Sequence, residues 1–110
     1  MVWLHTQRMD IDFEKLDGFE WDQSNLEHTR RHDVEKEECE QVFLNKPIFI
    51  NKDETHSQKE ERFRLYGRTD NLRLIILIFT IRDKKIRVVS ARDQSKKERE
   101  EFRRKGGEDL

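Results

Sequence analysis

A single cysteine, Cys39, stands in 110 residues, so no internal disulfide can form. With no secretory segment at the start, the expected compartment is the cytoplasm. Long hydrophobic runs are missing too. The longest, Leu74 to Ile81, falls far short of the ~20 residues a membrane span needs. There is no CxxC, no HExxH, no glycine-rich phosphate loop and no serine in an elbow motif. Those absences remove the motif-bearing zinc sites, the P-loop enzymes and the elbow-type serine hydrolases.

What remains is a short and highly charged chain. Apolar residues make up 33% and charged residues 43%, which is polar for a globular protein. The length suits one domain with one modest core. "RLIILIFTI" and seven phenylalanines argue against a disordered chain. The net charge of −1 hides an asymmetry: residues 1–61 carry 8 Lys/Arg and 16 Asp/Glu, whereas residues 62–105 carry 15 and 6. A basic half suits a polyanion such as RNA, and an acidic half does not. Two readings stay open here, a polyanion surface and opposite charges that pair across the fold.

Local signals give the element order. "GFEW" reads as a short strand, and Asp22 then caps a helix from about Gln23 to Arg31. "HDVEKEECEQVF" reads as a second helix, with Cys39, Val42 and Phe43 as its buried stripe and Val34 as a hydrophobic staple. Pro47 ends that segment and "IFI" follows as a strand. "RFRLYGRT" alternates, so Arg62, Arg64, Tyr66 and Arg68 share one face while Phe63 and Leu65 share the other. A turn at Asp70-Asn71, the apolar strand "LRLIILIFT", a second turn at "RDKK" and the strand "KIRVVSA" complete a meander. "SKKE" is a capping box that opens a last helix, with Phe102 as its apolar anchor and Gly106-Gly107 as its end. Helices and strands segregate, which predicts an α+β fold with a largely antiparallel sheet.

Chemistry could reside in two places. In "HTRRH", His28 and His32 are spaced to share a helix face, as zinc-binding histidines do, but the glutamate of that motif is missing. With His56 in a loop and no second cysteine, no metal and no cofactor is expected. The other place is the strand arginines, with Arg92 just after the last strand in "VVSARD". Strand-borne guanidinium groups are held stiffly and bind phosphate bidentately, and Tyr66 in the same row could stack on a base. The alternative is that these arginines pair with the glutamates of the second helix. No side-chain nucleophile is visible. RNA carries its own in the 2′-hydroxyl, so that reaction needs only placed cations and a proton carrier.

Taken together, "GFEWDQSNLEHTRRHDVEKEECEQVF", "HSQKEERF", "YGRT" and "FTIRDKKIRVVSARDQSKKERE" resemble the BrnT family of toxins over about residues 13–104. Phe19, Trp21, Asp22, Asn25, His28, His32, Val34, Glu38 and Phe43 fit the family's opening pattern, and Ile86, Arg87, Ser90, Ala91, Arg92, Lys97, Glu98 and Arg99 fit its end. The resemblance implies a RelE-like fold and a metal-independent ribonuclease that inhibits translation. It also implies neutralisation by a BrnA-like ribbon-helix-helix antitoxin, through which alone the chain would reach DNA; no membrane partner is implied. Of the matched arginines and histidines, Arg92, Arg68 and Arg62 are the expected catalytic cations, with His32 or His56 as proton carrier. Arg64, Tyr66 and Arg87 are expected to touch RNA, although simple alternation sets Arg87 on the face opposite Arg92. The other possibility is a non-catalytic module of the same fold that binds antitoxin or nucleic acid. Asp33 replaces the family's turn glycine, Phe102 its usual tyrosine, and Gln94 a common Met or Pro. Residues 1–12 are read as an N-terminal extension, 13–105 as the domain and 106–110 as a tail.

Overall fold

The computed structural model describes residues 13–54 and 59–107. After a short 3-10 turn (Phe13–Lys15), the order is α1 (Gln23–Arg30), α2 (Lys36–Leu44), β1 (Phe49–Lys52), β2 (Phe63–Arg68), β3 (Leu74–Arg82), β4 (Lys85–Asp93) and α3 (Lys96–Phe102). The four strands form one antiparallel sheet in chain order, with β1 at one edge.

Local chemistry explains most element ends. The Asp22 carboxylate accepts from Asn25 N, and the Asn25 side chain accepts in return from Asp22 N, a reciprocal cap that starts α1. Glu38 does the same for Glu35 N at the start of α2, and Ser95 with Glu98 starts α3. Asp33 takes φ 59° in the turn between α1 and α2, a left-handed position that a short polar side chain tolerates. Asp83 and Lys84 both have positive φ, 49° and 66°, which closes the tight hairpin between β3 and β4.

Three expectations change in detail. "GFEW" contributes a single parallel bridge, Phe19 to Ile86, rather than a strand. The first helix ends at Arg30 with Arg31 as its C-cap, one residue short of the expected end, and its buried residues are Asn25 and Thr29. β4 runs on to Asp93, so Arg92 lies inside the strand instead of following it.

The sheet has two unlike faces. On one face, Leu65, Ile75, Leu77, Phe79, Val88 and Ala91 pack with Val34, Cys39 and Val42 in the main core. Phe79 is central, with ring centroids 5.1 Å from Phe43 and 5.3 Å from Phe63. Gly67 lets α2 sit close, because a Cβ there would lie 2.7 Å from a Val42 methyl. On the other face, Phe102 of α3 packs with Phe49, Leu74 and Tyr66 in a second, smaller cluster. Since α3 covers only that end, the rest of the second face stays open.

A bulge decides which β4 side chains reach the open face. Pairing steps from Ile78 with Ser90 to Phe79 with Val88, leaving Val89 as the extra residue. The Asn25 amide donates to the Val88 carbonyl at 3.0 Å and to the Glu20 carbonyl at 2.9 Å, tying α1 to the bulge.

Candidate active site

The open half of the sheet forms a cleft of about 330 Å³. Ile76 and Ile78 make its floor, and Arg64, Asp53, Ser90, Arg92, Glu98 and His32 line it. Strand register explains the grouping. Arg64 pairs with Ile78, which pairs with Ser90, while Tyr66, Ile76 and Arg92 form the adjacent cross-strand row. Side chains in such rows stand on one face.

Arg92 is held by a two-pronged contact. Nη1 donates to Glu98 Oε1 at 2.7 Å, Nη2 donates to Oε2 at 2.9 Å, and Nη1 also donates to the Asp93 carbonyl at 3.1 Å. These bonds hold the Glu98 carboxyl down at about 2, with Ser95 N assisting and burial opposing. They also raise the Arg92 guanidinium above its ordinary value. Arg64 lies 3.5 Å from the carboxylate of Asp53, whose side chain is 3% exposed. Each cleft cation thus has an anion beside it, drawn from the end of β1 or from α3, not from the glutamates of α2.

The other sequence candidates are placed differently. Tyr66 shares the row of Arg92 and is half-buried against the second cluster. Arg68 donates to the Lys46 carbonyl at 2.9 Å and pins the loop before β1. Arg62 stands 3.5 Å from Glu60 at the other end of β2. Arg87 donates to both oxygens of Asp22 at 2.9 and 3.2 Å, and to Glu20 at 3.3 Å. Simple alternation sets Arg87 opposite Arg92, but the bulge restores it to the same face, where it clamps the start of α1. His32 is exposed at the cleft, in the turn beyond α1, so it does not share a helix face with His28. His56 lies outside the described residues. Among the described residues no cluster of His, Cys, Asp or Glu is arranged to hold a metal ion.

Three cleft residues escape a reading of the sequence. Glu98 is visible there as a cap and as part of the family pattern, but without a role beside Arg92. Ser90 stands two residues before Arg92, so strand period alone would have found it. Asp53 follows β1 in a polar loop and gives no signal. Phe102, in place of the family's tyrosine, is 1% exposed and packs 5.2 Å from Phe49, ring centroid to centroid. Gln94 is likewise buried, donating to the Ile75 carbonyl at 3.1 Å.

No curated protein matches the chain. No helix of the described residues is long and apolar enough to cross a membrane. A family model described as "Ribonuclease toxin, BrnT, of type II toxin-antitoxin system" matches residues 21–98, from the cap of α1 to the Glu98 that grips Arg92. With most of its length inside that match, the chain belongs to the BrnT family of ribonuclease toxins of type II toxin–antitoxin systems.

Proposed function

We propose that the chain has a RelE-like fold and cleaves RNA in the cleft over Ile76 and Ile78, thereby inhibiting translation. The carrying observation is that Arg64, Arg92, Ser90 and His32 converge on one cleft with an apolar floor. The succession of two helices, an antiparallel meander and a closing helix supports the fold assignment.

In the reaction, the RNA 2′-hydroxyl attacks the neighbouring phosphorus and the bond to the 5′ oxygen breaks. The products carry a 2′,3′-cyclic phosphate and a 5′-hydroxyl, and the scheme is metal-independent. Because the nucleophile belongs to the substrate, the chain supplies charge and proton carriers. Arg92 and Arg64 steady the charge that builds on the phosphoryl oxygens, where one placed donor is worth roughly 10²–10³ in rate. His32 carries a proton at the cleft. Glu98 is a poor base, because its carboxyl is held at about 2 by Arg92. Tyr66 offers a stacking surface. Arg62, Arg68 and Arg87 hold other contacts and enter only as flanking charge along the RNA backbone.

A ribbon-helix-helix antitoxin would neutralise the toxin and bring it to DNA. The exposed Glu35, at the N-cap of α2, and Glu37 in its first turn offer that partner an acidic surface. A second reading, a module that binds antitoxin without cutting RNA, draws support from the carboxylate beside each cleft arginine. Expression in bacteria with the antitoxin supplied separately distinguishes them. Arg92→Ala relieves growth arrest and retains antitoxin binding if the cleft is catalytic. A variant that still arrests growth, or a wild-type chain that never does, contradicts the catalytic reading.

A further inference from the structure

We infer that Glu98 is a positioning residue that sets the orientation in which Arg92 meets a phosphate, an inference that rests on the cleft being the RNA-cleaving site. A guanidinium has two bidentate edges: an end-on edge formed by Nη1 and Nη2, and a side-on edge formed by Nε and Nη2. Glu98 takes the end-on edge with both oxygens, at 2.7 and 2.9 Å. The remaining Nη1 hydrogen goes to the Asp93 carbonyl. The side-on edge has no partner among the described residues, which leaves a second two-toothed donor for a phosphoryl group.

The grip is itself mounted on a fixed frame. Glu98 Oε1 accepts from Ser95 N at 2.8 Å, and Glu98 N donates to Ser95 Oγ at 3.2 Å. One turn further on, Phe102 anchors α3 against Phe49 and Leu74. The capping box therefore has two uses: it starts the helix, and it holds a carboxylate where the arginine fork closes on it. Without that fork, a side chain that is 46% exposed would sample several rotamers. Placing it would then cost entropy at each turnover.

A competing arrangement uses the same contact in the opposite sense: Glu98 could mask Arg92 until RNA displaces it. The substitution Glu98→Gln separates the two, because glutamine also serves at this capping position while losing the charge and one arm of the fork. Purified wild type, Glu98→Gln, Arg92→Ala and the double variant would be compared on a defined RNA in single-turnover and steady-state assays, with thermal unfolding alongside. Positioning predicts a rate constant for cleavage lowered roughly 10- to 100-fold by Glu98→Gln. It further predicts little change in KM, an unfolding midpoint close to wild type, and no further loss when the substitution is added to Arg92→Ala. An unchanged or faster Glu98→Gln enzyme with tighter RNA binding overturns the proposal in favour of masking. A loss that persists in full on the Arg92→Ala background also overturns it, because Glu98 would then act other than through Arg92. Wild-type protein that does not cut the RNA overturns the reading of the cleft itself, and the positioning role with it.

Discussion

Arg73, in the turn before β3, donates to both oxygens of Glu38 at 3.2 Å and to Asp93 at 2.6 and 3.2 Å. It also donates to the backbone carbonyls of Asp33 and His32. One guanidinium so joins α2, the turn after α1 and the end of β4, with only 26% of its side chain exposed. Arg92 differs in that half its donor edge stays open to the cleft. Arg73→Ala is therefore expected to lower stability by about 2 kcal/mol, since several charge-assisted bonds are lost and Glu38 loses its partner; urea unfolding checks this. Arg92→Ala removes a half-exposed pair and should cost under about 1 kcal/mol. At this scale, strand period sets Arg64 and Tyr66 on one face, as the register with Ile78 and Ile76 has them, but it leaves Arg92 outside the strand, where the structure has it paired with Ile76. It could not separate Arg73 from the others, because ion-pair partners come from distant elements that only the folded chain brings near. Of the two readings the sequence leaves open, pairing of the "VEKEE" glutamates with strand arginines is not what the structure has: Glu38 meets Arg73 in a turn.

Elements with local chemistry were readable, and those set by register were not. Asp22, "SKKE" and the Asp83-Lys84 turn each carry their own instruction in a few residues, and each is found as read. The Val89 bulge carries no such mark, since either phase of "KIRVVSARD" has apolar residues to offer the core. What selects the phase is the partner strand and the Asn25 amide that takes up the Val88 carbonyl. Gly67 was similarly silent: its need for hydrogen in place of a side chain shows only when α2 is seated on β2. Gly67→Ala would drive a Cβ to 2.7 Å from the Val42 methyl and 3.2 Å from the Val42 carbonyl oxygen. The expected cost is roughly 1–3 kcal/mol, read as a lower unfolding midpoint with the cleft's substrate affinity retained in the folded fraction.

Across the whole molecule arginines of the basic half pair both with the acidic half, as Arg87, Arg82, Arg73 and Arg64 do with Asp22, Glu60, Glu38 and Asp53, and with carboxylates of their own half. Asp22 pairs with Arg87, Glu60 with Arg82, Asp93 with Arg73 and Glu98 with Arg92, and in each case the arginine's hydrogen bond is the main reason the carboxyl lies below its ordinary value. Those ordinary values are 3.8 for Asp22 and Asp93 and 4.5 for Glu60 and Glu98. A lowered carboxyl gives stability that is complete above the unfolded value and is lost as pH falls through the folded one. The unfolding midpoint should thus be nearly flat from neutral pH down to about 5, then drop towards pH 2, where Glu98 takes up its proton. Glu98→Gln should shallow that drop; an equally steep drop in the variant would show that the Arg92 pair contributes little to the fold. The net-charge asymmetry was plain in the sequence, yet its partition was not. Among the described residues much of it is internal pairing, and on the proposed reading the part left for RNA is the edges of Arg64 and Arg92 that face the cleft.

The central claim, that this cleft cuts RNA through Arg92 without a metal, is tested most directly by one assay. The purified chain and its Arg92→Ala variant are incubated with a defined RNA in excess EDTA, and the product ends are analysed. On this account the wild type cuts in EDTA and leaves 2′,3′-cyclic phosphate ends, and the folded variant is slower by roughly 10²-fold or more. Cleavage that EDTA abolishes, or that the Arg92→Ala variant matches, would contradict it.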